Sequence, residues 1–183
     1  MTPHTWHLDQ SDGRLTIHTG VAGRAAKMGH RLTIAMNTWH ATVDWSDSEP
    51  AQLHLSVDVD SLEVLGGEGG VTPLSGPEKV LARSNALKVL DVKRFPQITF
   101  DTTMIERTET GYRLTGTVQI HGTAGDSVVD LNVEDSGDVW RMSADVAIRQ
   151  TDFGVKPYSM LMGAMKVADA VTVSLTAERA KTG

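Results

Sequence analysis

Seven histidines are the residues in this sequence best suited to acid–base or metal chemistry at neutral pH. A metal site built on them would need ligands at short, regular spacing, such as two histidines four residues apart on a helix. No such pair occurs, and no nearby acidic residue suggests a ligand triad. We therefore expect no metal site and no other cofactor. His30, which begins a strand beside a glycine, could still border an opening or make a structural hydrogen bond.

Other signatures of catalysis are weak as well. The chain has no cysteine, which excludes thiolate nucleophiles, disulfides and cysteine-bound metals. It has no Gly-x-Ser-x-Gly elbow, and the glycine run at residues 66–70 lacks the spacing and the lysine of a phosphate-binding loop. Met160, Met162 and Met165 have no neighbouring histidine or cysteine, so they favour adaptable apolar packing over soft-metal binding. We predict that the protein has no catalytic residue and is not an enzyme.

The length and the net charge of the sequence are those of a single acidic domain. The 183 residues are 40% hydrophobic and carry a formal net charge of -6 at pH 7. This length fits a single domain over residues 1–183. An acidic surface offers no field that attracts phosphates, so we expect no nucleic-acid partner. No segment is apolar for long enough to cross a membrane, and the N-terminus lacks a signal-peptide pattern, so we expect a cytoplasmic protein.

The elements that must carry any site are defined by an alternation of apolar and polar residues with a period of two. The alternation recurs at residues 15–18, 53–59, 98–104, 112–120 and 140–149. Successive side chains of a strand point to opposite faces, so each segment predicts a strand with one apolar face. Turn sequences separate these segments at hairpin spacing, which favours antiparallel pairing. Strands of this kind can bury their apolar faces together if the sheet closes into a barrel.

Three segments depart from this alternation. Near Asn37 and Thr38 the apolar parity changes, which predicts a β-bulge that bends the strand. Residues 65–77 are rich in glycine and have no periodicity, so we expect a loop there. Proline and glutamate follow Ser75 as they do at the start of a helix, and residues 78–90 are predicted to form one short helix.

Several short motifs, taken in order, resemble a known family. They are Trp6-His7-Leu8-Asp9, Val57-Asp58-Val59-Asp60-Ser61-Leu62, Phe95-Pro96-Gln97-Ile98-Thr99-Phe100, the hairpin Tyr112–Thr123, Thr151-Asp152-Phe153-Gly154-Val155 and Val167–Val173. Together they cover nearly the whole chain and resemble the YceI-like family of lipid-binding proteins. The resemblance implies an all-β fold, namely an eight-stranded antiparallel lipocalin-like barrel with an apolar interior. It also implies a polyisoprenoid or another long-chain amphiphile as ligand, and members of this family often form homodimers.

The alternation and the resemblance lead to one hypothesis, a protein that carries or sequesters a long-chain lipid inside the barrel. The residues expected to line the cavity are Trp39, Val43, Trp45, Phe100, Leu114, Val118, Trp140, Met142 and Val146, with Phe153, Met160 and Met162 near an opening. Burial of a long tail at roughly 25 cal/mol per Å² supplies affinity without a catalytic group. His30, Arg83 and Lys88 are the candidates for contact with a polar head group.

Two alternatives remain open on the sequence alone. A barrel filled by its own side chains would serve as a structural or interaction module. An enzyme acting on a hydrophobic substrate would need a titratable side chain on the inner face, where the alternation places almost none. A ligand-sized cavity would distinguish a carrier from a filled barrel.

Overall fold

Antiparallel strands make up most of the chain. The structure is a computed structural model, and it describes residues 4–181. Its elements are β1 (His4–Asp9), β2 (Gly13–His18), β3 (Val21–Ala22), β4 (His30–Met36), β5 (Trp39–Ser46), β6 (Glu49–Asp58), β7 (Leu62–Gly69), α1 (Gly76–Val89), β8 (Gln97–Arg107), β9 (Gly111–Ile120), β10 (Thr123–Asp135), β11 (Val139–Arg149), β12 (Ser159–Met160), β13 (Met165–Val167) and β14 (Ala170–Ala180). The prediction of an all-β fold with one short helix is confirmed.

The main sheet has eleven strands, in the order β1-β5-β6-β8-β9-β10-β11-β14-β2-β4-β7. All its neighbours pair in antiparallel fashion. β4 and β5 lie near opposite ends of this order, yet only two residues join them. The sheet must therefore curl strongly to bring its ends together, which gives the β-barrel fold. The predicted count of eight strands is not confirmed, because the main sheet has eleven, and two of the extra strands arise where β4–β5 and β6–β7 are divided by bends.

The bend between β4 and β5 lies where the sequence changes parity. Met36 ends one strand and Trp39 begins the next, and both side chains are buried. The amide of Asn37 donates to the carbonyl of Ser61 at 3.2 Å, and the amide of Thr38 donates to the Ser61 hydroxyl at 3.0 Å. The predicted change of face is thus present, as a two-residue break rather than a bulge. The bend keeps the apolar residues of both strands directed inward.

The helix begins with the local chemistry that the sequence predicts. The Ser75 hydroxyl accepts from the Glu78 amide at 3.3 Å, and the Glu78 carboxylate accepts from the Ser75 amide at 3.1 Å. This reciprocal capping box fixes the first turn, and α1 then runs over Gly76–Val89, close to the predicted 78–90. The residues that pack against the core are Ala82, Ala86, Leu87, Val89 and, just past the helix, Leu90. Within residues 4–181, no helix has the length and apolarity needed to cross a bilayer.

The loop predicted for residues 65–77 is wrong over its first part. β7 continues through the glycines to Gly69 and pairs with β4 along its full length. A β-carbon on Gly67 would lie 3.1 Å from the β-carbon of His30 and 3.2 Å from Leu74 Cδ2. Glycine at this position therefore allows a close approach of neighbouring chain segments, which is a recognised role for glycine within a strand.

A second, three-stranded sheet lies beside one end of the main sheet, in the order β12-β13-β3. Its strands are only two or three residues long. The amide of Ala25 donates to the carbonyl of Ala164 at 2.7 Å, which fastens the turn after β3 to the segment before β13. This small sheet joins residues 21–28 and 159–167 into one structural unit.

Candidate functional site

The curled sheet encloses a cavity of about 970 Å³. Small-molecule sites usually measure roughly 300–1,000 Å³, so this interior has room for a sizeable ligand. All eleven strands of the main sheet and helix α1 contribute to the wall. Tyr112, Leu114, Val118 and Ile120 of β9 all border the cavity. These residues span about 26 Å of strand at about 3.3 Å per residue, so the space is long as well as large.

Eleven of the twelve predicted lining residues border this cavity. They are Trp39, Val43, Trp45, Phe100, Leu114, Val118, Trp140, Met142, Val146, Phe153 and Met160. Contact between these residues and a ligand stays a prediction. The same alternation also applies to β1, β2, β6 and β14, whose inward residues border the cavity as well: Trp6, Leu8, Leu15, Ile17, Leu53, Leu55, Val57, Val173 and Leu175. Sequence reasoning could have found this second group from the same signal.

Met162, which was predicted to lie near an opening, is the one residue of the twelve that does not border the cavity. Its side chain is fully exposed. Leu161 and Met162 both have positive φ angles, 53° and 57°. Parity assigns faces only in an extended chain, whereas this left-handed turn points Met162 outward.

Two glycines in the wall allow a close approach of neighbouring groups. A β-carbon on Gly116 of β9 would lie 2.2 Å from the carbonyl oxygen of Asp101 and 2.9 Å from Phe100 Cε2, and one on Gly125 of β10 would lie 3.0 Å from Phe153 Cε1. Phe100, Phe153 and Val118 belong to one buried cluster. Sequence reasoning missed these glycines, although a glycine inside a predicted strand is a known signal of close approach.

We call the end of the cavity near the β5–β6, β8–β9 and β10–β11 turns the turn end. Arg107 forms an ion pair with Glu49, and the hydroxyl of Tyr112 donates to the same carboxylate at 3.2 Å. Burial raises the pKa of Tyr112 above its usual range, and the negative charge of Glu49 adds to the effect. Arg107 and Tyr112 border the cavity, so a charged but internally paired group lies at this end.

Aromatic rings and cations cover the rest of the turn end. The rings of Trp6 and Trp45 are 4.7 Å apart, and the Arg179 guanidinium lies 4.5 Å from the Trp6 ring centre. Lys181 lies 4.3 Å from the centre of the Trp140 ring and pairs with Asp135. The cations here each have an aromatic or anionic partner, as cation–π and ion-pair contacts provide.

We call the opposite end, beside the small sheet and the first turns of α1, the loop end. Met28, Met160 and Met165 border the cavity there. His30 also borders it, as predicted for a residue near an opening, and its Nε2 lies 2.7 Å from the carbonyl oxygen of Thr72. This hydrogen bond holds the segment between β7 and α1 against the start of β4.

The other two candidates for head-group contact do not border the cavity. Arg83 directs its guanidinium toward the bend between β6 and β7, where it donates to the carbonyl of Leu62 at 2.8 Å and to that of Asp60 at 2.7 Å. Lys88 is exposed on α1. A role for Arg83 or Lys88 at the cavity is therefore not supported by their positions.

Titratable side chains border the cavity only toward its ends, as far as residues 4–181 show. At the turn end they are Arg107, Glu109 and Tyr112, and toward the loop end they are His30, Glu78, Tyr158 and Lys166. Over the same residues, no group of three histidine, aspartate or glutamate side chains could hold a metal ion. The long apolar middle can dissolve an apolar chain, while polar groups are available at either end.

Small antiparallel β-barrels either fill their interior with side chains or enclose a cavity, and this chain is a barrel with a cavity. The sequence model of the YceI-like domain matches residues 6–179 of this chain, and the chain belongs to the YceI-like family. No curated protein matches the sequence.

Two solved structures illustrate the shared fold. Burkholderia cenocepacia BcnA is 19% identical, with a TM-score of 0.70 over 94% of this chain and 99% of BcnA. The Campylobacter jejuni YCEI protein is 16% identical, with a TM-score of 0.60 over 82% of this chain and 85% of its own. At such low identity these likenesses establish the fold alone.

Proposed function

We propose that this protein binds a polyisoprenoid or another long-chain amphiphile and carries or sequesters it with the tail inside the barrel. The observation that carries this proposal is the cavity of about 970 Å³, apolar along its middle and bordered by polar groups at both ends. Such a site matches a molecule with a long apolar tail and a polar head. Transfer of the tail from water to the wall is favourable by roughly 25 cal/mol per Å² of apolar surface.

Two features support binding over the alternatives. The interior space is far larger than the voids of a packed core, so it does not fit a barrel filled by its own side chains. The titratable groups that border the cavity lie away from its middle, where a substrate's tail would rest, so we propose that the protein is not an enzyme. Membership of the YceI-like family agrees with a lipid ligand.

Val118 and Val128 provide a matched pair of positions for a test. Val118 is 8% exposed and borders the cavity, while Val128 on the neighbouring strand is 54% exposed. We expect Val118→Trp to place an indole where the tail would lie and to abolish lipid retention. Val128→Trp adds the same side chain on the outer surface and should leave retention unchanged.

The measurement is native mass spectrometry of each purified protein, before and after incubation with a polyprenyl phosphate, followed by extraction and identification of the bound lipid. Thermal unfolding of both variants reports on packing. A hollow site should accept the indole with little loss of stability. Overfilling a packed core costs about 1–3 kcal/mol, so marked destabilisation by Val118→Trp, with no lipid on any form, would overturn the proposal.

A further inference from the structure

We propose that the loop end is a docking surface for an anionic lipid bilayer, through which the ligand enters and leaves the cavity. This inference rests on the proposed lipid-binding function and adds to it the place and the partner of lipid transfer. It is carried by three features of one surface: exposed apolar side chains, a strained turn that presents them, and cations without acidic partners.

Apolar side chains are concentrated and exposed at this end. Met28 is 53% exposed, Met160 46% and Leu161 53%, and Met162 is fully exposed. All four belong to the unit that the small sheet joins together. Met28 and Met160 also border the cavity, so the exposed cluster reaches its opening. Contiguous apolar groups on a surface mark a site of interaction with a partner or a membrane.

The backbone conformation of one turn at this surface keeps two apolar side chains exposed to water. Leu161 and Met162 are consecutive residues with φ angles of 53° and 57°, in the left-handed region that residues with side chains rarely adopt. The turn does not bury either side chain. A strained conformation that exposes apolar groups contributes nothing to the packing of the fold, and such strain is typical of functional segments.

The two chain segments that the small sheet joins carry a charge opposite to that of the whole chain. Residues 19–31 and 154–168 contain five lysines and arginines and no aspartate or glutamate, in a chain with a net charge of -6. Arg31 pairs with Glu68. The remaining four, Arg24, Lys27, Lys156 and Lys166, are exposed, and no ion pair involves them within the part of the chain that the structure describes.

Cations flanking exposed apolar residues are the combination that binds acidic bilayers. The apolar side chains enter the interface, and each nearby lysine or arginine is attracted by anionic headgroups. Long lysine and arginine stems can lie along apolar surface while their charges stay among the headgroups. A bilayer seated here would cover the opening, so a lipid tail could pass into the barrel without crossing water.

The test uses flotation of the full-length protein with phosphatidylcholine vesicles that contain or lack phosphatidylglycerol. We expect binding only to the anionic vesicles and a steep loss of binding as salt is added. Lys27→Gln combined with Lys156→Gln should lower the partition coefficient, by about five-fold for each lysine removed. Met162→Ser should also lower it, and its exposed position leaves the fold intact.

Arg14→Gln and Val128→Ser serve as matched controls, because each removes one exposed cation or one exposed apolar group elsewhere on the surface. Both should bind vesicles as the unaltered protein does. Equal binding to both vesicle types, or equal effects of the controls and the loop-end variants, would overturn the docking proposal. A loop-end complex with a protein in place of vesicle binding would overturn it as well.

Native mass spectrometry of the same samples separates this proposal from the proposed function. A protein that retains lipid but ignores anionic vesicles overturns docking and leaves lipid binding in place. A protein that binds vesicles through Lys27 and Met162 but never holds a lipid supports docking and overturns the carrier function.

Discussion

The two ends of the cavity differ in how their exposed groups are satisfied. At the turn end, Arg107 has Glu49 and Lys181 has Asp135, while Arg179 lies over Trp6. At the loop end, methionines face water and nearby cations lack acidic partners among the described residues. One end of the barrel is therefore completed by contacts within the chain. The other presents exposed methionines and exposed cations that form no ion pair among the described residues, so the two ends of the barrel differ in chemistry.

A substitution at the turn end should therefore lower the free energy of unfolding more than a substitution at the loop end. Trp45 is half-buried at the turn end, where its ring stacks on His4 at 5.5 Å and meets Trp6. We expect Trp45→Ala to lower the free energy of unfolding by about 2–4 kcal/mol, since a partly buried tryptophan loses somewhat less than a fully buried one. Met162→Ala should change it by less than about 0.5 kcal/mol, because the side chain packs against nothing.

Denaturant unfolding of the two variants, beside the unaltered chain, measures both effects. If the two substitutions destabilised the protein equally, the loop end would be as much a part of the packed structure as the turn end. The comparison of the two ends would then fail.

Local unfolding should also require less free energy at the loop end than at the turn end. The small sheet at the loop end has strands of two or three residues, whereas β8 and β9 pair over most of their length up to the turn end. Short ladders with few buried contacts open at low free energy. In hydrogen–deuterium exchange we expect the amides of Lys166 and Val167 to exchange much faster than those of Ile105 and Leu114. Matching protection at both sites would contradict the proposed difference in rigidity.

The smallest effect is a loss of stability at alkaline pH that arises from the turn end. Burial, and then the charge of Glu49, raise the pKa of Tyr112 above its ordinary value of 10.0. A raised pKa means that the folded protein holds this proton more tightly than the unfolded chain. The corresponding stability is complete below pH 10 and is lost as the pH rises through the folded pKa.

Tyr112→Phe should flatten this part of the stability profile, as urea titrations on either side of pH 10 can show. Glu49→Gln should lower the pKa of Tyr112, which absorbance of the tyrosinate ion measures directly. An unchanged pKa in the Glu49→Gln variant would show that the carboxylate does not act on this phenol.

The interior of the barrel could be predicted because an alternating sequence records which face of a strand is apolar. Trp39, Phe100 and Val118 lie where parity places them. The start of α1 was equally predictable, since proline and glutamate shortly after Ser75 are local signals of a helix start, and Ser75 and Glu78 form a capping box there. Both results depend on physics that acts within a few residues of the chain.

The remaining features depend on partners distant in sequence. Glycine has no side chain that could show an apolar–polar alternation, so no local pattern identifies the glycines of β7 as strand residues. They belong to a strand because they pair with β4. Parity does not apply to Met162, because the chain is not extended there. The helical pattern places Arg83 on a surface, but only the folded chain shows that the carbonyl of Leu62 lies within its reach.

Arg83 and Arg179 also bear on how copies of this chain behave when crowded. β1 and β7 are the terminal strands of the eleven-stranded sheet, and unpaired carbonyls on such strands invite pairing with another molecule. Arg179 donates to the carbonyl of His7 on β1, and Arg83 donates to that of Leu62 on β7. Each terminal strand thus offers an acceptor that an arginine already occupies. Each of these hydrogen bonds leaves its edge with one acceptor fewer to offer to a second copy of the chain.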